Sequence, residues 1–418
     1  MRIGMAHGWG GERPLLLSRA DRRQHLYVVG KTGTGKTTLL RNLILQDIAA
    51  GEGVGVIDPH GDLAEGLLDY IPRWRTDHVV YFDPADEAWP VAFNLLAPRT
   101  AQAKHLVASG IVGAFKGIWR DSWGPRLEYV LYAAIAALLD CQNVSLLGLP
   151  RMLVDETYRN WVLRQCTDPV VLAFWEQEFA SYDRRFVSEV IAPVQNKVGQ
   201  LLMAAPVRNI LGQVKSKIDP RFLMDRRRIF IANLSKGRLG ADKSNLLGAL
   251  LVSQFELAAM SRADLPENDR ADFYLYLDEF HSFSTDSFAA ILSESRKYRL
   301  CLTICHQHLA QLRPELRDAV FGNAGSWAAF RVGESDAAVL AREFGARVEP
   351  SLFTGLGNSH ICGKLLRDGV QDEPVLAVVE RAAAPPQRRG HTIVARSRQR
   401  YACARNVVED RIDRAMRG

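Results

Sequence analysis

Short apolar runs alternate with amphipathic stretches over the first hundred residues and again beyond residue 226, the pattern of a parallel sheet covered by helices on both faces. Residues 25–29 read as a first strand and 37–50 as the helix behind it. Gly51 and Gly53 break the chain before a second strand at 54–58, and a helix near 63–70 leads to a third at 79–83. From about 101 to 221 the strand signals fade. Helical periodicity rich in Trp, Leu and Ala replaces them, with Pro125, Pro150, Pro169, Pro193 and Pro206 as punctuation. Strand rhythm returns at 229–232 and continues with a helix at 245–261, a strand at 273–278, a helix at 287–298 and a strand at 300–306. Stretches 326–332 and 359–366 follow as later strands. The expected fold is α/β, with a mainly parallel central sheet that closes around an all-helical insertion. Residues 1–100 form the first part of the core, 101–225 the insertion, 226–385 the second part and 386–418 a basic tail. Residues 388–400 lack an apolar period and are expected to be mobile.

Composition narrows the classes. A chain of 418 residues, 47% hydrophobic and 24% charged, buries a full core and is globular rather than disordered. Fifty-three Lys and Arg against 47 Asp and Glu leave a formal charge of +6, which suits a polyanionic partner without requiring one. The six cysteines are scattered, so neither a disulfide framework nor a paired zinc knuckle is indicated, and a reducing cytosol is the natural compartment. Residues 1–11 are too polar for a signal peptide, and no uninterrupted apolar run reaches 18 residues; 129–139 comes closest and reads as a buried helix. A cytoplasmic location, or one peripheral to the inner membrane through partners, is therefore expected.

Gly30, Lys31, Thr32, Gly33, Thr34, Gly35, Lys36 and Thr37 match G-x-x-x-x-G-K-[ST] in full, between a hydrophobic strand and a helix. Glycines let backbone wrap an anion. Loop N–H groups and the helix N-terminus, with Thr38 in its first turn, would face the phosphates; Lys36 adds charge on the β and γ oxygens, and the Thr37 hydroxyl ligates Mg²⁺. The run FYLYLDE ends an apolar strand in two carboxylates at the sheet's carboxyl edge, where Asp278 would hold the magnesium shell and Glu279 would orient and deprotonate the attacking water. Asp58, ending the second strand, is either a further polar group beside the site or a helix cap.

Four stretches (VVGKTGTGKTTLLRNLI, GVGVIDPHGDL, FYLYLDEFHSF, and the segment from SESRKYRL through CHQHLAQL to FGNAGSWAAFRVG) occur in order. Together they make the chain resemble the FtsK/HerA superfamily of DNA-pumping ATPases, and within it the TraG/TraD-like coupling proteins of conjugation and type IV secretion. The resemblance implies a RecA-like core, ATP as substrate and a homohexameric ring. It also implies that Arg296 reaches a neighbouring subunit's nucleotide and that Gln307 senses the γ-phosphate. On chemistry alone Arg296 is otherwise a helix-end cation and Gln307 a strand cap. Relatives with membrane helices carry them before the core, whereas this core starts almost at once, so the chain resembles the soluble branch.

Cys301, Cys305, His306 and His308 concentrate soft ligands, yet strand alternation sends 301 and 305 to one face and 306 and 308 to the other, which favours buried cysteines over a metal site. Basic clusters at 19–23, 184–185, 215–217 and 226–228 suit phosphate contacts, and a ring of six copies would multiply such weak patches. The expected function is a hexameric ATP hydrolase that translocates single- or double-stranded DNA, with a relaxase or secretion-channel protein as further partner. Alternatives are a secretion ATPase that recruits protein cargo through the helical insertion, and a repair translocase acting with a nuclease.

Overall fold

The structure is a computed structural model and describes residues 1–8, 11–97, 104–285, 288–380 and 386–417. Among these, strands β1 (Arg2–Gly8), β2 (Gly11–Leu16), β3 (Leu26–Val29), β4 (Gly53–Asp58), β5 (Val79–Phe82), β6 (Ile229–Asn233), β7 (Phe273–Leu277), β8 (Leu300–His306), β9 (Ser326–Ala329), β10 (His360–Lys364) and, after a short ribbon of β11 (Leu366–Arg367) and β12 (Val370–Gln371), β13 (Val375–Val378) follow in chain order. All except the ribbon join one 11-stranded sheet in the order β2-β1-β13-β10-β9-β3-β8-β7-β4-β6-β5. The central pairings β9–β3, β3–β8, β8–β7, β7–β4 and β4–β6 are parallel. Every residue of β3, β4, β6, β7 and β8 is buried, which is why these strands read as continuous apolar runs rather than alternating ones. The order places β3, which leads into the phosphate-loop sequence, between β8 and β9, with the acidic strand β7 one strand further on.

The other wing is antiparallel: β2 on β1, β1 on β13, β13 on β10 and β10 on β9. Its N-terminal hairpin carried no strand signal in the sequence because RIGMAHG is interrupted by glycine. The reason for one of those glycines is steric. A Cβ at Gly4 would lie 2.7 Å from the Val378 carbonyl oxygen, so β1 approaches β13 only with glycine there.

The helix behind β3, Lys36–Ala49, is tied under the sheet by a buried ion pair. Arg22 forks onto both Asp47 oxygens at 2.7 and 2.6 Å, and the Tyr276 hydroxyl of β7 donates to the same carboxylate at 2.5 Å. Around it Val28, Ile44, Val56, Ile231, Ala328 and Cys305 fill one apolar layer.

The chain divides into two compact units. The first comprises Met1–Tyr81, Arg221–Asn233 and Ala258–Arg396 and contains nearly all of the sheet; the second comprises Phe82–Pro220, Leu234–Leu257 and Ser397–Gly418 and is helical. The expected boundaries at 100/101 and at 385/386 fall on, or at the edge of, residues outside the described ones. The helical unit differs from the expected insertion of 101–225 in drawing on two later segments. One supplies most of helix Ala241–Met260, and a Cβ at Gly110 would fall 2.3 Å from Ser253 Oγ, so two helices of this unit touch closely there. The other is the chain's end. The expectation of a mobile basic stretch at 388–400 is corrected: helices Gly390–Tyr401 and Arg405–Arg417 form, with Ile393 and Ser397 buried in the first and Val408 and Ile412 in the second. Each helix buries only a pair of residues spaced by four, a stripe too narrow to stand out among so many arginines.

Residues 129–139 lie in the helix Pro125–Leu139, whose Val130, Leu131, Ala134, Ile135 and Leu138 are buried, as the sequence implied. Among the described residues one helix, Ala241–Asp264, is long and apolar enough to cross a membrane, and 67% of its apolar window is buried inside the protein.

Candidate nucleotide-hydrolysis site

The loop between β3 and its helix has the shape that wraps an anion. A Cβ on Gly30 would sit 2.5 Å from Phe330 Cβ, and Gly35 holds φ +117°, so both positions require glycine. The loop is clamped from outside: Lys31 N–H donates to the Arg331 carbonyl and Ser359 N–H to the Thr34 carbonyl, both at 2.8 Å. Inside, the Thr34 hydroxyl donates to the Lys31 carbonyl at 2.7 Å. Lys36, 7% exposed, sends its ammonium to the carbonyls of Gly30 at 2.6 Å and Lys31 at 3.1 Å. Gly35 caps the helix without a side-chain hydrogen bond, which leaves the first-turn N–H groups, including those of Thr37 and Thr38, turned to whatever anion lies in the loop. Loop, dipole and ammonium together fit the phosphates of a nucleotide.

Adjacent strand ends supply carboxylates. Asp278 N–H bonds the Ile57 carbonyl at 3.2 Å, so Asp278 lies beside Asp58 at the ends of β7 and β4. Asp58 is committed to capping: its oxygens accept His60 N–H at 2.8 Å and Ala64 N–H at 2.9 Å, at the start of helix Asp62–Leu68. Both oxygens of Asp58 are used in that cap, and its charge still acts on Asp278. Burial first, then the Asp58 and Glu279 charges, push the Asp278 carboxyl up from 3.8 to about 6, with His60 and Lys36 pulling the other way. A buried carboxylate whose charge is this costly to hold calls for a cation, and the hard oxygens of Asp278 and Thr37 suit Mg²⁺. Cys305, fully buried, lies across from Asp278 on the neighbouring strand, and burial raises its thiol well above the ordinary range.

Glu279, 5% exposed, occupies the left-handed region at φ +48°. This turns the chain sharply out of β7, and Phe280 anchors the turn, fully buried with its ring edge-on to His306 at 5.3 Å. Gln307, just past β8, donates its amide to Glu279 Oε1 at 2.9 Å, while Thr32 of the loop donates to Gln307 Oε1 at 3.0 Å. A chain of side chains therefore runs from the loop to the second carboxylate. His281 Nδ1 faces the other oxygen, Oε2, at 3.4 Å.

The structure brings together Gly30 to Thr38, Asp278, Glu279 and Gln307. It does not bring Arg296 to them. Arg296 is exposed in a turn that precedes Leu300, at the start of β8, whereas the site lies past His306 at its end. Seven strand residues, roughly 20 Å, separate the two edges. Cys301 and Cys305 are buried in β8, and His306 meets the Tyr27 hydroxyl at 2.6 Å. Cys305 was read as a buried strand cysteine, but its place beside Asp278 went unread in the sequence, as did His281 and the Thr32–Gln307 contact. Parallel register pairs Leu277 with Ile304, which sets Asp278 opposite Cys305, but register is decided by strand order.

The arrangement is a phosphate-binding loop facing two buried carboxylates across neighbouring parallel strands, and comparison with known proteins agrees in fold. Residues 14–106 match the model for the central domain of helicase HerA. No curated protein matches the chain by sequence search. Among solved structures, the chain is similar to the bacterial conjugative coupling protein TrwBdeltaN70 at 15% identity, with 90% of this chain and 88% of that one covered and a TM-score of 0.65. The plasmid coupling protein TrwB with ADP and Mg²⁺ is similar at 15% identity, 89% of each chain and a TM-score of 0.62. VirB4 of Thermoanaerobacter pseudethanolicus is similar at 15% identity, 92% of this chain and 96% of that one, with a TM-score of 0.60. The fold is thus that shared by the conjugative coupling protein TrwB and by VirB4.

Proposed function

We propose that this protein is a ring-forming ATP hydrolase that moves DNA in conjugative transfer or type IV secretion. The observation that carries the hydrolase reading is the Glu279 carboxylate, buried at the end of β7 and linked through Gln307 to Thr32 of the phosphate loop. Lys36 and the loop N–H groups bind and neutralise the phosphates. Thr37 and Asp278 would hold Mg²⁺, which when bound would neutralise charge on the β and γ oxygens. Glu279 takes the proton of the attacking water, and Gln307 orients it and reports loop occupancy through Thr32. Arg296 acts on the neighbouring subunit's nucleotide, which its position at the opposite sheet edge supports, so the active unit is a ring, here taken as a hexamer. Likeness in fold to a coupling protein and to VirB4 supports the secretion setting, at the cytoplasmic side of the inner membrane.

ATP turnover across protein concentrations, with and without single- and double-stranded DNA, tests this against Glu279→Gln. Turnover that rises cooperatively, is stimulated by DNA and is lost in the variant is expected. DNA-independent turnover with no DNA binding at low salt would refute translocation while leaving the hydrolase. The reading then favoured is recruitment of protein cargo by the helical unit, on which Val170 and Met203 stand 76% and 79% exposed.

A further inference from the structure

Glu279 must present one carboxylate geometry to water, yet Gln307 holds only Oε1, and a carboxylate held at one oxygen swings about its last bond. Oε2 is buried and makes no hydrogen bond. The group facing it is His281 Nδ1, at 3.4 Å, and whether that nitrogen carries a proton depends on what the ring's other nitrogen meets.

The surroundings decide this. Gln311 accepts two backbone N–H groups at its Oε1, from Gln307 at 3.0 Å and His308 at 3.1 Å, and this fixes which end of its amide is oxygen. Its other end, a pure donor, lies 3.4 Å from His281 Nε2, and the Ser282 hydroxyl lies 3.4 Å from the same nitrogen. Facing an NH₂ group, Nε2 must offer its lone pair, so the neutral ring carries its proton on Nδ1, towards Glu279. The backbone makes the approach possible: with Glu279 at φ +48° and Ser282 N–H bonded to the Glu279 carbonyl at 2.9 Å, the residue two places on folds back towards the carboxylate.

We propose that His281, locked by Gln311 as the Nδ1–H tautomer, is the positioning residue for Glu279. Gln307 holds Oε1, and the Nδ1–H of His281, 3.4 Å from Oε2, is placed to take up the second oxygen, which would fix the carboxylate plane. The proposal rests on Glu279 being the base.

Two measurements test it on the full-length protein. Long-range proton–nitrogen NMR of histidine-labelled protein should show His281 as the Nδ1–H form, and Gln311→Glu, which turns an acceptor towards Nε2, should move the proton to Nε2 or add a second one. In turnover, His281→Leu should lower kcat about tenfold or more while the melting temperature and the affinity for a fluorescent ATP analogue stay within twofold of wild type. His281→Asn, whose amide nitrogen takes the place of Nδ1, should recover most of kcat, and His281→Gln should not. An Nε2–H ring in the wild type, an unchanged kcat in His281→Leu, or equal loss in the asparagine and leucine variants would each overturn the proposal. A loss of kcat together with nucleotide affinity and melting temperature would make His281 merely structural. If the wild type hydrolyses ATP and Glu279→Gln does so equally, the assignment of the base fails instead.

Discussion

Replacing Asp278 with asparagine should make the protein more stable while ending its hydrolysis, and the gain should depend on pH in a defined way. The Asp278 carboxyl is raised from 3.8 to about 6 because burial and the neighbouring Asp58 and Glu279 charges oppose its ionised form. The folded state therefore binds this proton more tightly than the unfolded state does. Its stabilising effect is complete below 3.8, and it is lost as pH rises through about 6. Above 3.8 the carboxyl costs the fold progressively more, about 1 kcal/mol at pH 4.5, and the cost levels off above about 6, at about 3 kcal/mol by pH 8. A neutral amide at this position carries no such cost. For a unit of this size the difference corresponds to roughly 6–12 °C in melting temperature at pH 8 and roughly 2–4 °C at pH 4.5. Thermal melts of wild type and Asp278→Asn in chelator without nucleotide, at both pH values, measure it. An advantage equal at the two pH values, or a variant less stable at pH 8, would refute the account of Asp278 as a buried charge held for a cation.

Other residues make separate demands. Asp47→Ala strands Arg22 beneath the sheet without its partner carboxylate, and denaturant melts should show a loss of about 3–5 kcal/mol. Gly30→Ala drives a methyl against Phe330 and should weaken nucleotide binding about tenfold by calorimetry, with partial recovery in the double variant Gly30→Ala/Phe330→Ala. If Arg296 serves the neighbouring site, Arg296→Ala should lower turnover about 10³-fold with nucleotide affinity kept. Mixing it with inactive Glu279→Gln should then restore part of the activity, because some interfaces pair an intact Glu279 with an intact Arg296; no recovery on mixing would place Arg296 outside the reaction.

What the sequence determined is what local chemistry determines. Continuous apolar runs marked the parallel strands because those strands are buried on both faces, and the glycine-rich loop between one such run and a helix declared itself because only that composition wraps a phosphate. The acidic pair was legible for the same reason: two carboxylates ending a buried strand have few structural uses. Tertiary structure decided what depends on which strands are neighbours. That Gln307 reaches Glu279, that Cys305 lies under Asp278 and that Thr32 touches Gln307 all follow from β3 lying beside β8 and β8 beside β7, an order no local pattern encodes. In the antiparallel wing β10 was legible, but β1, β2 and β13 escaped notice because β1 relies on a glycine for close approach, β2 is largely exposed and β13 is only partly buried, and the C-terminal helices because two buried residues apiece suffice to dock them. Asp58 shows the division in a single side chain. Its place at a strand end was evident from the sequence, but whether it served the site or a helix awaited the two N–H groups that the fold brought to its oxygens.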